Sequence, residues 1–386
     1  MTTTTDYLPV THRPSSAPPR LVVNGWFWGQ LNTGSGQYLH HLARALPQVT
    51  ELHGTLVLPA APIVPIPAGW QVEIIPPAVH HHSENLAKLW FEQVSFPRAC
   101  ANLCAQVAWT PYWGAGWRQP CPTAVTVHDL IPLLLPAYRG GALQRGYTRL
   151  VAATARRAPL LLTDSAASRA DIIAQLRLPP SRVHAVLLAA DERFQRVTDS
   201  AELARVRARY HLPERFILYL GGFDVRKNVA GLLRAYALLA AAQPDLPRLV
   251  VAGKLPAADT PFTPDPRRLA AASDVAARVH LTDWVDEADK PALYSMADLF
   301  VFPSLYEGYG LPVAEAAACG ARVVTADSSS LPEAAPHAWL TDPTDDHALA
   351  AAMQTALAAP VPPLPHPRRT WFDVARATFA ALKTLL

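Results

Sequence analysis

Two glutamates and two cations occur in glycine-containing segments that follow apolar runs, and these residue types suit a phosphorylated sugar. Glu307 and Glu315 lie eight positions apart within residues 300–320, FVFPSLYEGYGLPVAEAAACG. A carboxylate can accept hydrogen bonds from two neighbouring sugar hydroxyl groups. Arg226 and Lys227 end the stretch FILYLGGFDVRK immediately before a predicted helix. Because cations at a helix N-terminus oppose the helix dipole, this pair indicates a bound anion such as a phosphate.

The glycine loop that follows Glu307 is predicted to bind phosphate through its backbone. Its residues are Gly308, Tyr309, Gly310 and Leu311. Pro312 comes next, and proline is favoured in the first turn of a helix. Free N–H groups at a helix N-terminus, together with the dipole, suit a phosphate. Outside this context, Glu315 would be a helix-dipole partner, Glu307 a solvated loop residue and the Arg-Lys pair a solvated basic turn.

Further candidates lie at predicted strand ends in the first half of the chain. His128 and Asp129 follow the apolar run TAVTV, a position where functional groups collect in open α/β sheets. Gly34 and Gly36 lie between a strand and a helix, and the alternative is a glycine turn that serves only chain reversal. A dinucleotide-binding fingerprint fits poorly, because its third glycine would fall at Leu39.

Aromatic residues near two of these strand ends are candidates for binding a sugar. The cluster comprises Trp26, Trp28, Trp109, Tyr112, Trp113 and Trp117. Aromatic faces stack on sugar C–H groups, although each of these side chains could equally belong to the core. We expect some of Trp26, Trp28, Tyr112 and Trp113, with Asp129, to contact a bound sugar.

The elements that must position these residues alternate between short apolar runs and amphipathic stretches, which is typical of an α/β fold with parallel sheets. Strands are predicted at Leu21–Asn24, Thr55–Leu58, Val72–Ile75, Val107–Thr110, Ala124–Val127, Leu160–Thr163, Val183–Leu187, Phe216–Leu220, Arg248–Ala252, Val279–Thr282, Leu299–Phe302 and Arg322–Thr325. Helices are predicted at Gln37–Leu46, Glu84–Leu103, Leu143–Arg157, Ala166–Leu176, Asn228–Ala242, Ala288–Met296, Pro312–Cys319, Asp346–Ala358 and Trp371–Leu386.

The apolar rhythm lapses at Asp191–Glu214, which we interpret as a domain boundary. Residues 1–19 are predicted to form a flexible tail, residues 20–195 an N-terminal Rossmann-like domain, and residues 215–365 a C-terminal Rossmann-like domain. A last helix within residues 366–386 is expected to pack back on the N-terminal domain. Ligands of open α/β sheets bind at the carboxyl ends of the strands, so the two domains should face each other across a ligand-binding cleft.

Composition excludes several classes of protein. Half of the 386 residues are hydrophobic and 17% are charged, which excludes general disorder. A net charge of +3 is too small to indicate a nucleic-acid partner. Four cysteines without CxxC spacing fit a reduced cytoplasm, and no apolar run has the length of a membrane span. The arginines of Arg139–Arg157 could form a basic face for anionic lipid, with a solvated face as the alternative. No metal is predicted, because the run His80–His82 has no accompanying Cys or acidic cluster and no DxD triplet lies in a strand-end loop.

Five motifs in one order resemble those of the retaining glycosyltransferases of family four, which have the GT-B fold. They are the segment Gly221–Asn228, the AGK of Ala252–Lys254, the pair Trp284-Val285, SLYEGYGLP, and the SSSLPEAA of Ser328–Ala335. The resemblance extends from about Leu21 onward and is strongest between Ile217 and Pro343. Many relatives carry an arginine five positions before the lysine, where this chain has Gly222. Either Arg226 supplies the second cation, or the site has a single cation.

The resemblance implies a role for each matching residue. Lys227 would contact the donor diphosphate, Glu315 the ribose, and Glu307 with the glycine-loop amides the transferred sugar and phosphate. Val285 would lie near the base. His128 would contact an outer hydroxyl of the donor sugar, while Gly34 and Gly36 would face the donor phosphates and acceptor. The N-terminal domain, with its aromatic candidates and Asp129, would bind the acceptor, and the C-terminal domain would bind the donor. His128, Lys227 and Glu307 are the implied catalytic residues.

The implied activity is transfer of a sugar from a nucleoside diphosphate sugar to a saccharide or lipid-linked acceptor, with retained anomeric configuration. A GDP- or UDP-sugar would be the donor, with no bound cofactor and no metal. The HDLIP and GGFDVRKN motifs resemble those of GDP-mannose users, which favours mannose. The enzyme is expected to be cytoplasmic, with possible peripheral contact at the inner membrane and no nucleic-acid partner. The alternatives are an epimerase or phosphorylase of the same fold, or a silent sugar-binding subunit.

Overall fold

The computed structural model describes residues 20–51, 53–78, 83–364 and 368–386. The tail predicted for residues 1–19 and most of the sequence around His80–His82 therefore lie outside the described residues. Two parallel β-sheets follow each other along the chain, one of seven strands and one of six. This arrangement confirms the predicted α/β fold.

The first sheet contains seven strands in the order β3-β2-β1-β4-β5-β6-β7. They are β1 (Arg20–Asn24), β2 (His53–Leu58), β3 (Trp70–Ile74), β4 (Val107–Thr110), β5 (Thr123–Thr126), β6 (Leu160–Thr163) and β7 (Val183–Ala185). Every neighbouring pair is parallel. Strands β4, β5 and β6 are buried along their whole length, as expected for a parallel sheet with both faces covered.

The second sheet contains six strands in the order β10-β9-β8-β11-β12-β13. They are β8 (Phe216–Leu220), β9 (Arg248–Ala252), β10 (Val279–Asp283), β11 (Leu299–Phe302), β12 (Val323–Ala326) and β13 (Trp339–Thr341). The central strands β8 and β11 are fully buried and pair with each other. Their apolar runs FILYL and LFVF form the centre of the second core.

Fourteen α-helical segments lie in the described part of the chain. They are α1 (Gly34–Val49), α2 (Glu84–Trp90), α3 (Phe96–Asn102), α4 (Ile131–Leu134), α5 (Ala142–Arg157), α6 (Ala166–Leu176), α7 (Ser200–Arg209), α8 (Val229–Ala242), α9 (Pro266–Ala272), α10 (Lys290–Met296), α11 (Leu311–Ala318), α12 (Leu331–Ala334), α13 (Asp346–Ala358) and α14 (Trp371–Leu382).

The helix predicted over Glu84–Leu103 is interrupted. A π-helical turn, Phe91–Ser95, separates α2 from α3. Pro97 lies at the start of α3 and has no N–H to donate to the preceding turn, so a wider turn is accommodated there. The interruption places Glu92 in the core, where Tyr147 donates its hydroxyl to it at 2.9 Å.

The strand order reverses once in each sheet, between β1 and β4 in the first and between β8 and β11 in the second. In open α/β sheets, ligands bind in the crevice at such a reversal, outside the carboxyl ends of the strands. Lys227 follows β8, and Glu307 follows β11. Both residues therefore lie at the reversal point of the second sheet.

The last helix returns to the first half of the chain. Trp371, the first residue of α14, stacks on His41 of α1 with ring centroids 4.4 Å apart. Thr370 caps the helix and forms a capping box with Asp373. Arg368 donates hydrogen bonds to the carbonyl of Phe194 at 2.6 Å, so the segment before α14 is attached to the stretch that joins the two sheets.

Candidate donor-binding site

Glu307 lies between two cations. Lys227 Nζ is 2.6 Å from Glu307 Oε1, and the Arg226 guanidinium is 2.6 Å from Glu307 Oε2. Ser304 donates its hydroxyl to Oε1 at 2.6 Å, and the Glu307 amide donates to the Ser329 hydroxyl at 2.9 Å. The two cations predicted from β8 and the glutamate predicted from β11 thus form one cluster.

The loop after β8 holds the cations by its backbone. The Lys227 amide donates to the carbonyl of Asp224 at 2.9 Å, closing a short 3₁₀ turn. Asn228 then takes a left-handed conformation, with φ of 52°, and its side chain caps α8 by accepting from the Gly231 amide. Asparagine tolerates this conformation better than most residues, so Lys227 is fixed at the end of the turn.

Electrostatics keeps Glu307 ionised. Burial raises the pKa of this carboxyl, but Lys227 and Arg226 outweigh that effect and hold the pKa below its usual value. The Arg226 guanidinium also donates to the carbonyl of Tyr306 at 2.7 Å. Asp224, which contacts Arg226, accepts a hydrogen bond from Tyr138 of the first half of the chain. The cluster therefore contains two fixed positive charges next to the glycine loop.

The glycine loop leads directly into α11. Gly310 precedes the helix with φ of 97°, and a Cβ there would lie 2.7 Å from the Leu331 side chain, so only glycine fits. The amides of residues 308–311 donate no hydrogen bond to another described residue. These free N–H groups at a helix N-terminus, next to two cations, can bind an anion.

Glu315 lies in a different environment. It is only 8% exposed and accepts a hydrogen bond from the Tyr294 hydroxyl at 3.1 Å. Burial raises the pKa of Glu315 to about 7, even though Lys290 and Tyr294 act in the opposite direction. Val285, the predicted neighbour of the base, is buried, whereas the adjacent Trp284 is half exposed.

His128 contacts the glycine loop from the other half of the chain. A Cβ on Gly308 would lie 2.5 Å from the His128 carbonyl oxygen, so glycine permits this close approach. The Gly308 carbonyl accepts hydrogen bonds from Ser165 at 2.7 Å and Ser168 at 3.1 Å. Asp129 is close enough to Arg226 and Glu307 for both to affect its pKa, although burial is the largest influence and raises that pKa. The structure thus brings His128 and Asp129 together with the glycine loop.

The predicted glycines have mixed roles. Gly34 and Gly36 lie in the first turn of α1. A Cβ on Gly36 would lie 2.0 Å from the Gln30 carbonyl oxygen, which gives this glycine a packing role, whereas Gly34 faces open space. At Gly222 the nearest atom to an added Cβ is the Asp224 carboxylate at 3.4 Å, so a side chain could be accommodated there. Arg226 reaches Glu307 from four residues further along.

Four of the aromatic candidates pack against other elements of the first domain. Trp28 is buried, stacks on His40 and donates its indole N–H to the Val64 carbonyl at 3.1 Å. Trp26 and Tyr112 are also buried, and Trp113 donates its indole N–H to the Val151 carbonyl. These side chains pack within the first domain, which is the core role that the sequence left open as the alternative to sugar binding. Trp117, by contrast, is exposed.

Two site residues were missed from the sequence. Asp164 follows β6, and its carboxylate is 2.6 Å from His128 Nδ1. The strand-end position that singled out His128 applies equally to Asp164 and could have identified it. Glu333 of the SSSLPEAA segment accepts hydrogen bonds from the amides of Ala166 and Ala167 at 2.7 and 2.9 Å. No local pattern links Glu333 to a helix 167 residues away.

Neither a cluster of metal ligands nor a membrane-spanning helix occurs in the described residues. Within these ranges, no three His, Cys, Asp or Glu side chains are grouped as metal ligands would be. Likewise, none of the described helices has both the length and the apolar character needed to cross a membrane.

Comparison with known sequences identifies the second half of the chain. Residues 204–370 match the profile of the family described as glycosyl transferases group 1. The serotype-specific mannosyltransferase WbdA of Escherichia coli is 30% identical over 273 residues, which are 67% of this chain and 33% of WbdA. The O-antigen chain mannosyltransferase B of Escherichia coli is 32% identical over 234 residues, 60% of each chain. The chain thus spans about a third of the first relative's length.

Comparison with solved structures identifies the fold. Sucrose-phosphate synthase from Thermosynechococcus elongatus has a TM-score of 0.69 at 20% identity, covering 95% of this chain and 94% of its own. WaaG, a glycosyltransferase involved in lipopolysaccharide biosynthesis, has a TM-score of 0.64 at 18% identity, covering 95% and 97%. These neighbours are glycosyltransferases of the GT-B fold. Residues 204–370 therefore form a domain of the glycosyl transferases group 1 family, and the two sheets together have the GT-B fold.

Proposed function

We propose that this protein is a retaining glycosyltransferase that uses a nucleoside diphosphate sugar. The observation that carries the proposal is the cluster of Lys227, Arg226 and Glu307 beside the free amides of the glycine loop. Two cations and a helix N-terminus suit a diphosphate, and a neighbouring carboxylate suits the hydroxyl groups of the attached sugar. The family membership and the position at the strand reversal agree with this assignment.

Catalysis in this proposal is electrostatic stabilisation of the leaving group. The bond between the anomeric carbon and the diphosphate oxygen breaks, and negative charge develops on the diphosphate. Lys227, Arg226 and the N-terminus of α11 stabilise that charge. The acceptor oxygen attacks the same face of the sugar, and its proton passes to the departing phosphate oxygen. No bound metal is needed for this step, because fixed positive groups of the chain neutralise the charge.

The nucleoside lies further along the same domain in this proposal. Glu315 accepts hydrogen bonds from the ribose hydroxyls, and the segment around Val285 is next to the base. Tyr294 already bonds to the Glu315 carboxylate and orients it. Arg226 takes the place of the arginine that many relatives carry at the position of Gly222, and its guanidinium is 2.6 Å from Glu307.

The donor is proposed to be GDP-mannose, and the acceptor a saccharide or a lipid-linked saccharide. Two relatives of about 30% identity are named as mannosyltransferases, which supports mannose. We propose that the protein is cytoplasmic and makes peripheral contact with the inner membrane through α5. In this helix Leu143 is 93% exposed, and Arg145 and Arg149 are exposed beside it, as a membrane-binding face would require. The first domain, which contains His128, would hold the acceptor.

The proposal can be tested before the acceptor is identified, because water can take the place of the acceptor. The protein is incubated with GDP-mannose, UDP-glucose and ADP-glucose in water, and the sugar released by slow hydrolysis is followed by proton NMR. The proposal predicts release from one donor, with the α anomer appearing first. A β anomer appearing first would contradict retention. Rearrangement of the sugar without release of nucleotide would indicate an epimerase, and dependence on inorganic phosphate a phosphorylase.

A further inference from the structure

His128 and Asp164 form a pair at the carboxyl edge of the first sheet. His128 follows β5, and Asp164 follows the neighbouring strand β6. The distance from His128 Nδ1 to Asp164 Oδ2 is 2.6 Å, which is that of a strong charge-assisted hydrogen bond. Asp164 is 4% exposed, and its other carboxylate oxygen has no hydrogen-bond partner in the described chain. Its carboxylate is therefore committed to His128.

The imidazole is also held on its other sides. Tyr38 of α1 packs against the ring edge-on, with centroids 4.9 Å apart. The His128 carbonyl accepts a hydrogen bond from Ser168 at 3.2 Å and contacts Gly308 of the glycine loop. Nε2 is buried and has no partner at full hydrogen-bond geometry, although the Pro111 carbonyl is close enough to raise the pKa of His128. A buried polar atom without a full hydrogen bond, on a residue whose own carbonyl contacts the glycine loop, points to a ligand atom as its partner.

We propose that Asp164 is a positioning residue for His128: it binds Nδ1–H, keeps the imidazole charged, and leaves Nε2–H to donate to an oxygen of the transferred sugar. This inference rests on the proposed function, since it requires a donor sugar beside His128. The physical reason is that Asp164 fixes both the orientation and the protonation of the ring. A neutral histidine could place its only N–H on either nitrogen, whereas the charged ring donates from both.

The charges around the ring support a positive imidazolium. Burial lowers the pKa of His128, whereas Asp164 and Asp129 raise it. The raising effects outweigh burial, so the pKa lies above its ordinary value. The charged and titratable groups that face the ring are Asp164, Asp129 and Tyr38, while the second domain presents the Gly308 backbone. Because the histidine is charged below its raised pKa, Nε2–H donation is lost as pH rises through that value.

The first test follows His128 directly, without substrate. NMR titration of the histidine ring in the intact, unliganded protein is expected to give a pKa above about 6.5. In Asp164→Asn, which preserves the size of the side chain, the pKa should fall by at least about one unit. Asp171→Asn removes another carboxylate near the cleft and is expected to leave the pKa of His128 unchanged. A His128 pKa at or below 6.5 in the unmodified protein would overturn the proposal, even if Asp164→Asn did not fold.

The second test uses turnover of the donor as a function of pH. Asp164→Asn should reduce kcat roughly tenfold at pH 7.5 and less at pH 6, because acid restores the charge on His128. Asp164→Glu should recover part of the activity at pH 7.5. An equal loss at both pH values would indicate a purely structural role and overturn the proposal. If no donor were turned over by the unmodified protein, the proposed function would fail, while the NMR titration would still decide the role of Asp164.

Discussion

Glu307 and its two cations illustrate how much a single carboxylate controls in this site. The carboxylate pairs with both Arg226 and Lys227, whose side chains are largely buried, and leaves one positive charge uncompensated. Removing one partner of a buried ion pair leaves the other charge without compensation. An anionic ligand would compete with Glu307 for the same two cations. In the proposed function, the carboxylate therefore weakens anion binding while it positions the donor sugar.

This competition predicts opposite effects of Glu307→Gln on binding and on turnover. The variant should bind inorganic pyrophosphate roughly tenfold more tightly, because a competing negative charge is removed. Turnover of the donor should fall by about 100-fold or more. Isothermal titration with pyrophosphate and a donor-hydrolysis assay would measure the two effects. Ser329→Ala, which removes a neighbouring hydroxyl without changing charge, is the control, and tighter binding in that variant as well would contradict the explanation.

Glu315 predicts a pH dependence of nucleotide affinity. Its pKa of about 7 means that the carboxyl is largely ionised at pH 8 and largely protonated at pH 6. Ribose hydroxyls donate best to the ionised form, so affinity for the nucleoside diphosphate should fall several-fold as pH is lowered from 8 to 6. Glu315→Gln should bind weakly at both pH values and lose this dependence. Titration calorimetry at three pH values measures it, and an unchanged slope in the variant would exclude Glu315 as its source.

The sequence identified Lys227 and Glu307 because each follows a buried strand at a glycine-containing turn. Their contact with each other could not be predicted, since it depends on the pairing of β8 with β11. The same limitation explains Trp28, whose position near a strand end suggested a binding role. Its burial is decided by His40 and Val64, which come from other parts of the chain. The sequence pattern predicts the position of a residue within an element, but not the surface that its side chain contacts.

At the scale of elements, continuous apolar runs were the most informative feature. FILYL and LFVF predicted β8 and β11 with the bounds that the structure has. Strand β13 has only three residues and exposes Leu340, so it carries too little apolar signal to be recognised. Helix α7 lies in the charged stretch interpreted as a domain boundary, and only Val206 among its residues is buried. Its N-cap, Asp199, was the one available local indication.

Helix α7 is joined to α10 through a buried carboxylate. Asp289 is 1% exposed and accepts hydrogen bonds from Arg205 at 2.5 Å, from Arg209 at 2.8 Å and from the Tyr210 hydroxyl at 2.8 Å. These partners hold its pKa below the usual value, although burial acts in the opposite direction. The network explains why a charged sequence forms a stable helix here.

Asp289→Asn is therefore expected to lower the free energy of unfolding by about 2 kcal/mol, because two arginines and a buried hydroxyl lose a charged acceptor. Asp286→Asn is the matched control, since Asp286 pairs with the same Arg209 but is 45% exposed. Exposed pairs contribute little, so this change should cost less than about 0.5 kcal/mol. Urea unfolding measures both values, and equal losses would contradict the role assigned to burial.

At the scale of the whole molecule, the two halves meet through hydrogen bonds around the N-terminus of α6. Glu333 accepts from two amides of that helix, and Ser165 donates to Gly308. Tyr306 donates to Asp171 at 2.6 Å. These contacts join residues far apart in the sequence, so no local pattern could reveal them. They place His128 next to the glycine loop in this conformation.

Glu333→Ala should weaken this closed arrangement without unfolding either half. Loss of a carboxylate cap usually costs about 1 kcal/mol, and here that loss falls on the contact between the halves. The expected results are a larger radius of gyration in small-angle scattering and a several-fold higher KM for the donor. Glu214→Ala, a substitution of an exposed glutamate, is the control. Unchanged scattering and KM in Glu333→Ala would show that this contact does not hold the halves together.

If Lys227 and its neighbours bind the diphosphate of a nucleotide sugar, as proposed, the matching nucleotide should raise the melting temperature of the protein. The purified protein is heated with GDP, UDP, ADP or dTDP, with and without magnesium, alongside Lys227→Met and the surface control Lys383→Met. A ligand at about one hundred times its Kd should add about 2.7 kcal/mol of stability. We predict that one nucleotide raises the Tm of the protein and of Lys383→Met without magnesium, and that Lys227→Met loses most of this rise. No shift with any of the four, or an equal shift in Lys227→Met, would contradict the account.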